Sequence, residues 1–146
     1  MGDVLEQRRD QSQAGLDEVR AELDARVSGI IEDEPLAIYV TGSFGRMEAR
    51  YPRGSDLDLF LLYAPRNRDP DAGIDRLRWY RLAAEIIAIT EDLSFKPFSR
   101  DGEYLKIHNV WRVGEQLGSR HDSLSALLGR DISPHVGAVM FTGSAC

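Results

Sequence analysis

Asp56 and Asp58 stand two residues apart at the opening of an apolar run, Leu57–Tyr63, with Gly42-Ser43 upstream at the end of another, Leu36–Thr41. Side chains alternate across a strand, so carboxylates at this spacing point to one face. Two negative charges side by side repel unless a cation lies between them or water solvates both. A pair of Mg²⁺ ions held about 3.5–4 Å apart by such carboxylates can grip the attacking and leaving oxygens of a phosphoryl displacement. A Gly-Ser turn leading into a helix can present backbone N–H groups to phosphates. Together these residues offer a metal site beside a phosphate cradle. Read singly, each has a plainer explanation: Ser43 caps a short helix, and Asp56 and Asp58 are solvated residues at a strand mouth.

The stretch IYVTGSFGRMEARYPRGSDLDLFLL, residues 38–62, resembles the signature of the polymerase β-type nucleotidyltransferases, and most closely their small bacterial domains. Gly42, Ser43, Gly45, Arg46, Glu48, Ser55, Asp56, Leu57, Asp58 and Leu59 carry the resemblance. One departure is the twelve residues between Ser43 and Asp56, more than the family usually has, with the surplus around Arg50–Arg53. The resemblance implies a Mg²⁺-dependent transfer of a nucleoside monophosphate from a nucleoside triphosphate to an acceptor hydroxyl. It casts Gly42, Ser43 and Arg46 as nucleotide-binding residues and Asp56 and Asp58 as metal ligands. A third carboxylate from a later strand is common in the family. Glu103 is the better candidate, because Asp101-Gly102 reads as turn chemistry. The contrasting reading is a non-catalytic regulatory or antitoxin-like module that keeps the fold and binds a nucleotide or a protein.

Composition bounds these readings. The chain has 146 residues, 42% of them hydrophobic, enough for one modest core. A net charge of -6 gives no global field for long nucleic acids, so a protein or small-molecule acceptor is favoured. The arginines of the motif loop, Arg46, Arg50 and Arg53, are a local attraction for a triphosphate. A lone cysteine, Cys146, fits a reducing compartment. The charged N-terminus shows no signal peptide and no apolar run reaches membrane-spanning length, so the expected location is the cytoplasm.

The elements that must hold the motif follow from periodicity. Leu16, Val19, Leu23, Val27 and Ile30 recur at helical spacing, which predicts an amphipathic helix over 3–32 ended by Glu34-Pro35. Strands are expected at 36–41 and 57–63, with a short helix after Ser43. The second strand, apolar on both faces beyond its carboxylates, should be central. Asp69-Pro70 reads as an N-cap with proline at the first helical position. That helix runs to about Thr90 with Leu77, Tyr80, Ala84 and Ile87 along one face. Short strands at 94–98 and 103–107 are joined by a hairpin-like turn. Asn109 caps a helix ending near Gly118, and a last helical turn covers 123–128. Trp79, Tyr80 and Trp111 are expected in packing roles, Lys106 in solvent, and His108, His121 and His135 in surface or capping roles.

Periodicity alone gives an α/β or α+β chain with one layer of sheet. The resemblance sharpens this to a nucleotidyltransferase-like core with a mixed sheet of about four strands. Residues 1–130 form the domain and 131–146 an irregular tail.

Overall fold

The computed structural model describes residues 2–52, 56–98, 105–116 and 138–142. Glu103 and Asp101, Arg53 and Ser55, the hairpin-like turn, the helical turn at 123–128, and His121 and His135 lie outside the described residues.

The chain is mixed α+β. Its order is α1 (Gly2–Arg26), α2 (Ser28–Ile31), β1 (Leu36–Thr41), α3 (Gly42–Gly45), β2 (Asp58–Tyr63), α4 (Arg76–Asp92), β3 (Ile107–Asn109), α5 (Val110–Gln116) and β4 (Ala138–Thr142). The sheet runs β3-β2-β1, continued past β1 by β4. β1 is antiparallel to β2 and β4, whereas β2 and β3 are parallel, joined by the α4 crossover. β2 is therefore interior, as its apolar run predicts.

The core is built from alternation. Leu36, Ile38 and Val40 are buried on β1 while Leu59, Leu61 and Tyr63 are buried on β2. The register pairs Leu36 with Tyr63, Ile38 with Leu61 and Val40 with Leu59, so all six share one face. Against them pack Leu16, Val19 and Leu23 of α1 and Leu82, Ile86 and Ile89 of α4. Val27 and Ile30 are buried too, although α1 ends at Arg26 and a separate turn, α2, carries Ile30. On the other sheet face the His108 ring stacks on Phe60 at 4.7 Å.

Several expectations need correction. Asp69-Pro70 is no N-cap: Asp69 Oδ1 accepts from the Asp71 N–H, closing a local turn, and Asn109 Nδ2 donates to the Asp69 and Ala72 carbonyls. The cap is Asp75, whose Oδ1 accepts from Leu77 N at 2.9 Å and Arg78 N at 3.1 Å. The face of α4 picked out by its spacing is not the one that packs. Leu82, Ala83, Ile86, Ile89 and Thr90 are buried, while Leu77, Tyr80, Ala84 and Ile87 face out. Both stripes have helical spacing, so period alone did not separate them.

Residues 94–98 are not a strand. Ser94 at φ 59° closes α4, with Ser94 N donating to Glu91 O and Phe95 N to Thr90 O. That is the Schellman pattern, with serine where glycine is commoner. The third strand starts later, at Ile107, and Asn109 at its end caps α5 through Trp111 N at 2.9 Å. Trp111 is not core packing: its indole N–H donates to Pro65 O, and the Arg68 guanidinium lies 5.2 Å from the ring centroid. Nor is the tail irregular throughout, because AVMFT at 138–142 pairs with β1, with a register shift between Ile38 and Tyr39. A second strand edge on β1 must be paired or covered, and this apolar, β-prone run pairs with it.

Ile86→Ala is expected to cost about 2–4 kcal/mol in chemical denaturation, as a buried side chain between α4 and the sheet. Leu77→Ala, at an exposed position of the same helix, should stay within about 0.5 kcal/mol at low protein concentration.

Candidate active site

The joint between β1 and α3 is made by one glycine. Thr41 ends β1 in extended backbone, and Gly42 turns the chain at φ 65°, a region that side-chain-bearing residues rarely adopt. Thr41 is also the register partner of Asp58, so the end of β1 and the start of β2 lie side by side. The Asp58 carboxylate then packs directly on Gly42. A Cβ at position 42 would lie 2.1 Å from Asp58 Oδ2. Both the turn and the contact exclude a side chain there.

Asp58 is half-buried and its carboxyl is pushed above the usual carboxylate range. Burial is the largest cause, the neighbouring charge of Asp56 the second, and Arg46 partly offsets them. Asp56 is more open, with Lys96 Nζ 3.4 Å from its Oδ1. Arg46 follows α3, where its Nε meets Glu48 Oε2 at 3.0 Å. Arg46 therefore makes a surface ion pair with Glu48 beside its electrostatic influence on Asp58.

Behind this surface an aromatic cluster fixes α3. Phe44 is fully buried, edge-on to Phe95 at 5.4 Å and to Tyr51 at 6.3 Å. Gly15 of α1 makes room for them: a Cβ there would come within 2.7 Å of the Phe44 ring and 3.0 Å of the Tyr51 ring. One turn earlier, buried Ser12 accepts from Ala49 N at 2.9 Å and is 3.5 Å from Ala49 O. The Tyr51 hydroxyl donates to Glu18, and burial with that bond pushes the phenol up to about 12. The Tyr51–Pro52 peptide is cis. Ser12, Gly15, Phe44, Tyr51, Phe95 and Lys96 were missed by sequence reasoning. A glycine inside a helix was the available signal, since it lowers helix stability unless something packs against it.

Of the expected site residues, Gly42, Ser43, Asp56, Asp58 and Arg46 come to one end of the β1–β2 pair. Glu103 lies outside the described residues. Arg50 goes elsewhere, lining with Arg8, Gln7, Gln11 and Tyr51 a cleft of about 430 Å³ between α1 and the loop. Among the described residues no group of three His, Cys, Asp or Glu forms a metal site, and no helix is long and apolar enough to cross a membrane. No family model, curated protein or solved structure matches this chain.

Two outcomes test this geometry. Gly42→Ala should destabilise the fold by about 1–3 kcal/mol in urea denaturation, from the positive φ and the encounter with Asp58. Asp58→Asn should do the reverse. A carboxyl whose folded value is raised is least favourable when ionised, so its cost appears as pH rises through the interval between its ordinary and raised values. The Asn variant should melt a few degrees higher than the parent at about pH 7.5. The gain should vanish below about pH 4, where both states hold the proton.

Proposed function

We propose that this chain is a Mg²⁺-dependent nucleotidyltransferase domain with a nucleotidyltransferase-like core. The observation that carries the reading is the Asp58 carboxylate lying on Gly42, with Asp56 two residues away and Ser43 next in the turn. This places the two halves of the motif together, as phosphate and metal chemistry requires.

The donor set fits a hard cation. Mg²⁺ commonly takes one or two carboxylates and fills its remaining positions with water and substrate phosphate oxygens. Burial and Asp56 both disfavour the charged form of Asp58, and a nearby cation relieves that cost. When bound, the ion neutralises charge developing on the phosphates and orients the reacting oxygens.

Asp56 and Asp58 would hold it. The Gly42-Ser43 turn supports the triphosphate, and the Ser43 hydroxyl donates to a phosphate oxygen. Arg46 offers its guanidinium fork to another, in competition with Glu48. The acceptor oxygen attacks the α-phosphorus as the bond to the bridging oxygen breaks, and pyrophosphate leaves. Glu103 is assigned to the acceptor side, to take the hydroxyl proton or hold a second metal. Positioning and charge neutralisation supply the rate, with no covalent enzyme intermediate. The acceptor is a protein or small-molecule hydroxyl, and the proposed compartment is the cytoplasm.

The alternative, a non-catalytic nucleotide-binding module, draws on the Lys96–Asp56 pair, which gives one carboxylate a cation from the protein itself.

Labelled nucleoside triphosphates with Mg²⁺, offered to lysate proteins and small alcohols, separate the two. Transfer by the parent chain that falls at least about 100-fold in both Asp56→Asn and Asp58→Asn supports the enzyme. Full transfer in both variants removes these carboxylates from the site. Nucleotide binding without transfer in the parent favours the module.

A further inference from the structure

Among the described residues, the outward face of α4 carries large apolar side chains that stay exposed. Leu77 is 71% exposed, Tyr80 61% and Ile87 39%, three of the largest exposed apolar side chains in the described residues. With exposed Ala84 they are spaced three, four and three residues apart, a continuous stripe opposite the core-facing Leu82, Ile86 and Ile89. Charge on the helix is also unusual. Its first turn has no acidic residue and its last turn no basic one. Arg76 stands at the N-terminal end and Glu91 near the C-terminal end, each against the helix dipole.

We propose that this stripe is the contact surface for α4 of a second copy of the chain, laid antiparallel across a two-fold axis. The sequence is self-complementary in that arrangement. With the axis passing at the level of Leu82, Leu77 faces Ile87 of the second copy and Tyr80 faces its Ala84. Nearest the axis the large Tyr80 thus meets the small Ala84, which lets the helices approach closely, with Leu77 and Ile87 packing on either side. Arg76 comes within one turn of Glu91 of the second copy, and symmetry repeats the pair. Each misplaced end charge then meets an opposite charge and the opposite end of a helix dipole. A parallel partner would put arginine beside arginine. The antiparallel second copy is therefore the occupant that both the apolar and the charge patterns fit. The surface is separate from Gly42, Asp56 and Asp58, so it stands whether or not the nucleotidyltransferase reading does.

One helix face is a small interface, so the expected dimer is weak, with a dissociation constant on the order of tens of micromolar. Sedimentation of the full chain across about 1–500 µM should show a concentration-dependent dimer. Tyr80→Glu and Ile87→Glu should each raise the dissociation constant at least about tenfold while leaving far-UV circular dichroism unchanged, because both positions are exposed. Arg76→Glu should weaken the dimer and Arg76→Glu with Glu91→Arg should restore it, which an antiparallel pairing alone predicts. A parent chain that stays monomeric throughout overturns the proposal. So does a dimer that Tyr80→Glu and Ile87→Glu leave intact, or a double charge exchange that fails to restore association.

Discussion

The β1–β2 register connects the core of this protein to its candidate chemistry. Pairing Thr41 with Asp58 puts the two strand ends together and at the same time aligns Leu36, Ile38 and Val40 with Tyr63, Leu61 and Leu59. A slip of one residue would turn one strand's buried set toward the other face. It would also withdraw Asp58 from Gly42. The core therefore enforces the site: the apolar pairs that gain most from burial are the ones that fix where the carboxylate sits. The glycine then decides how close the α3 turn comes to it.

That closeness has an electrostatic cost, and its form is informative. Asp58 is half-buried beside a second carboxylate, and Arg46 offsets the cost in part. Asp56 is more exposed and pairs with Lys96. A purely structural strand mouth has no need for the more buried member of the pair to be a carboxylate, since asparagine would fill the same space without the charge. A carboxyl pushed upward by burial and a neighbouring carboxylate, set beside a glycine turn, is a functional-site candidate. The arrangement makes sense where a cation or a substrate supplies the missing positive charge.

Legibility from the sequence varied with how local the determining interaction is. The strands at 36–41 and 58–63 were readable because alternation and the β-branched and aromatic content agree. The Asn109 cap was readable because capping is decided within three residues. The packed face of α4 was not, since a helix apolar on two sides needs the rest of the fold to say which side is covered. The end of α4 misled for a related reason. Phe95 looked like a strand residue, but its ring completes the cluster with Phe44 and Tyr51, a contact between distant parts of the chain. The strand at 138–142 pairs with β1 across about a hundred residues of sequence, and nothing local announces such a partner.

The same distinction explains the role of α1, which carries no residue of the motif. Ser12 bonds the backbone of Ala49, Gly15 admits the Phe44 and Tyr51 rings, and Glu18 receives the Tyr51 hydroxyl. These three positions recur at three-residue intervals along one side of the helix, so α1 grips the α3 turn and the loop after it as a single surface. The loop between Ser43 and Asp56 is long, and a long loop loses more entropy when its ends are brought together. Anchoring its first half on a helix that is itself packed into the core shortens the stretch left to order. In this arrangement a helix that carries none of the motif anchors the α3 turn and the loop that leads from Gly42 to Asp58.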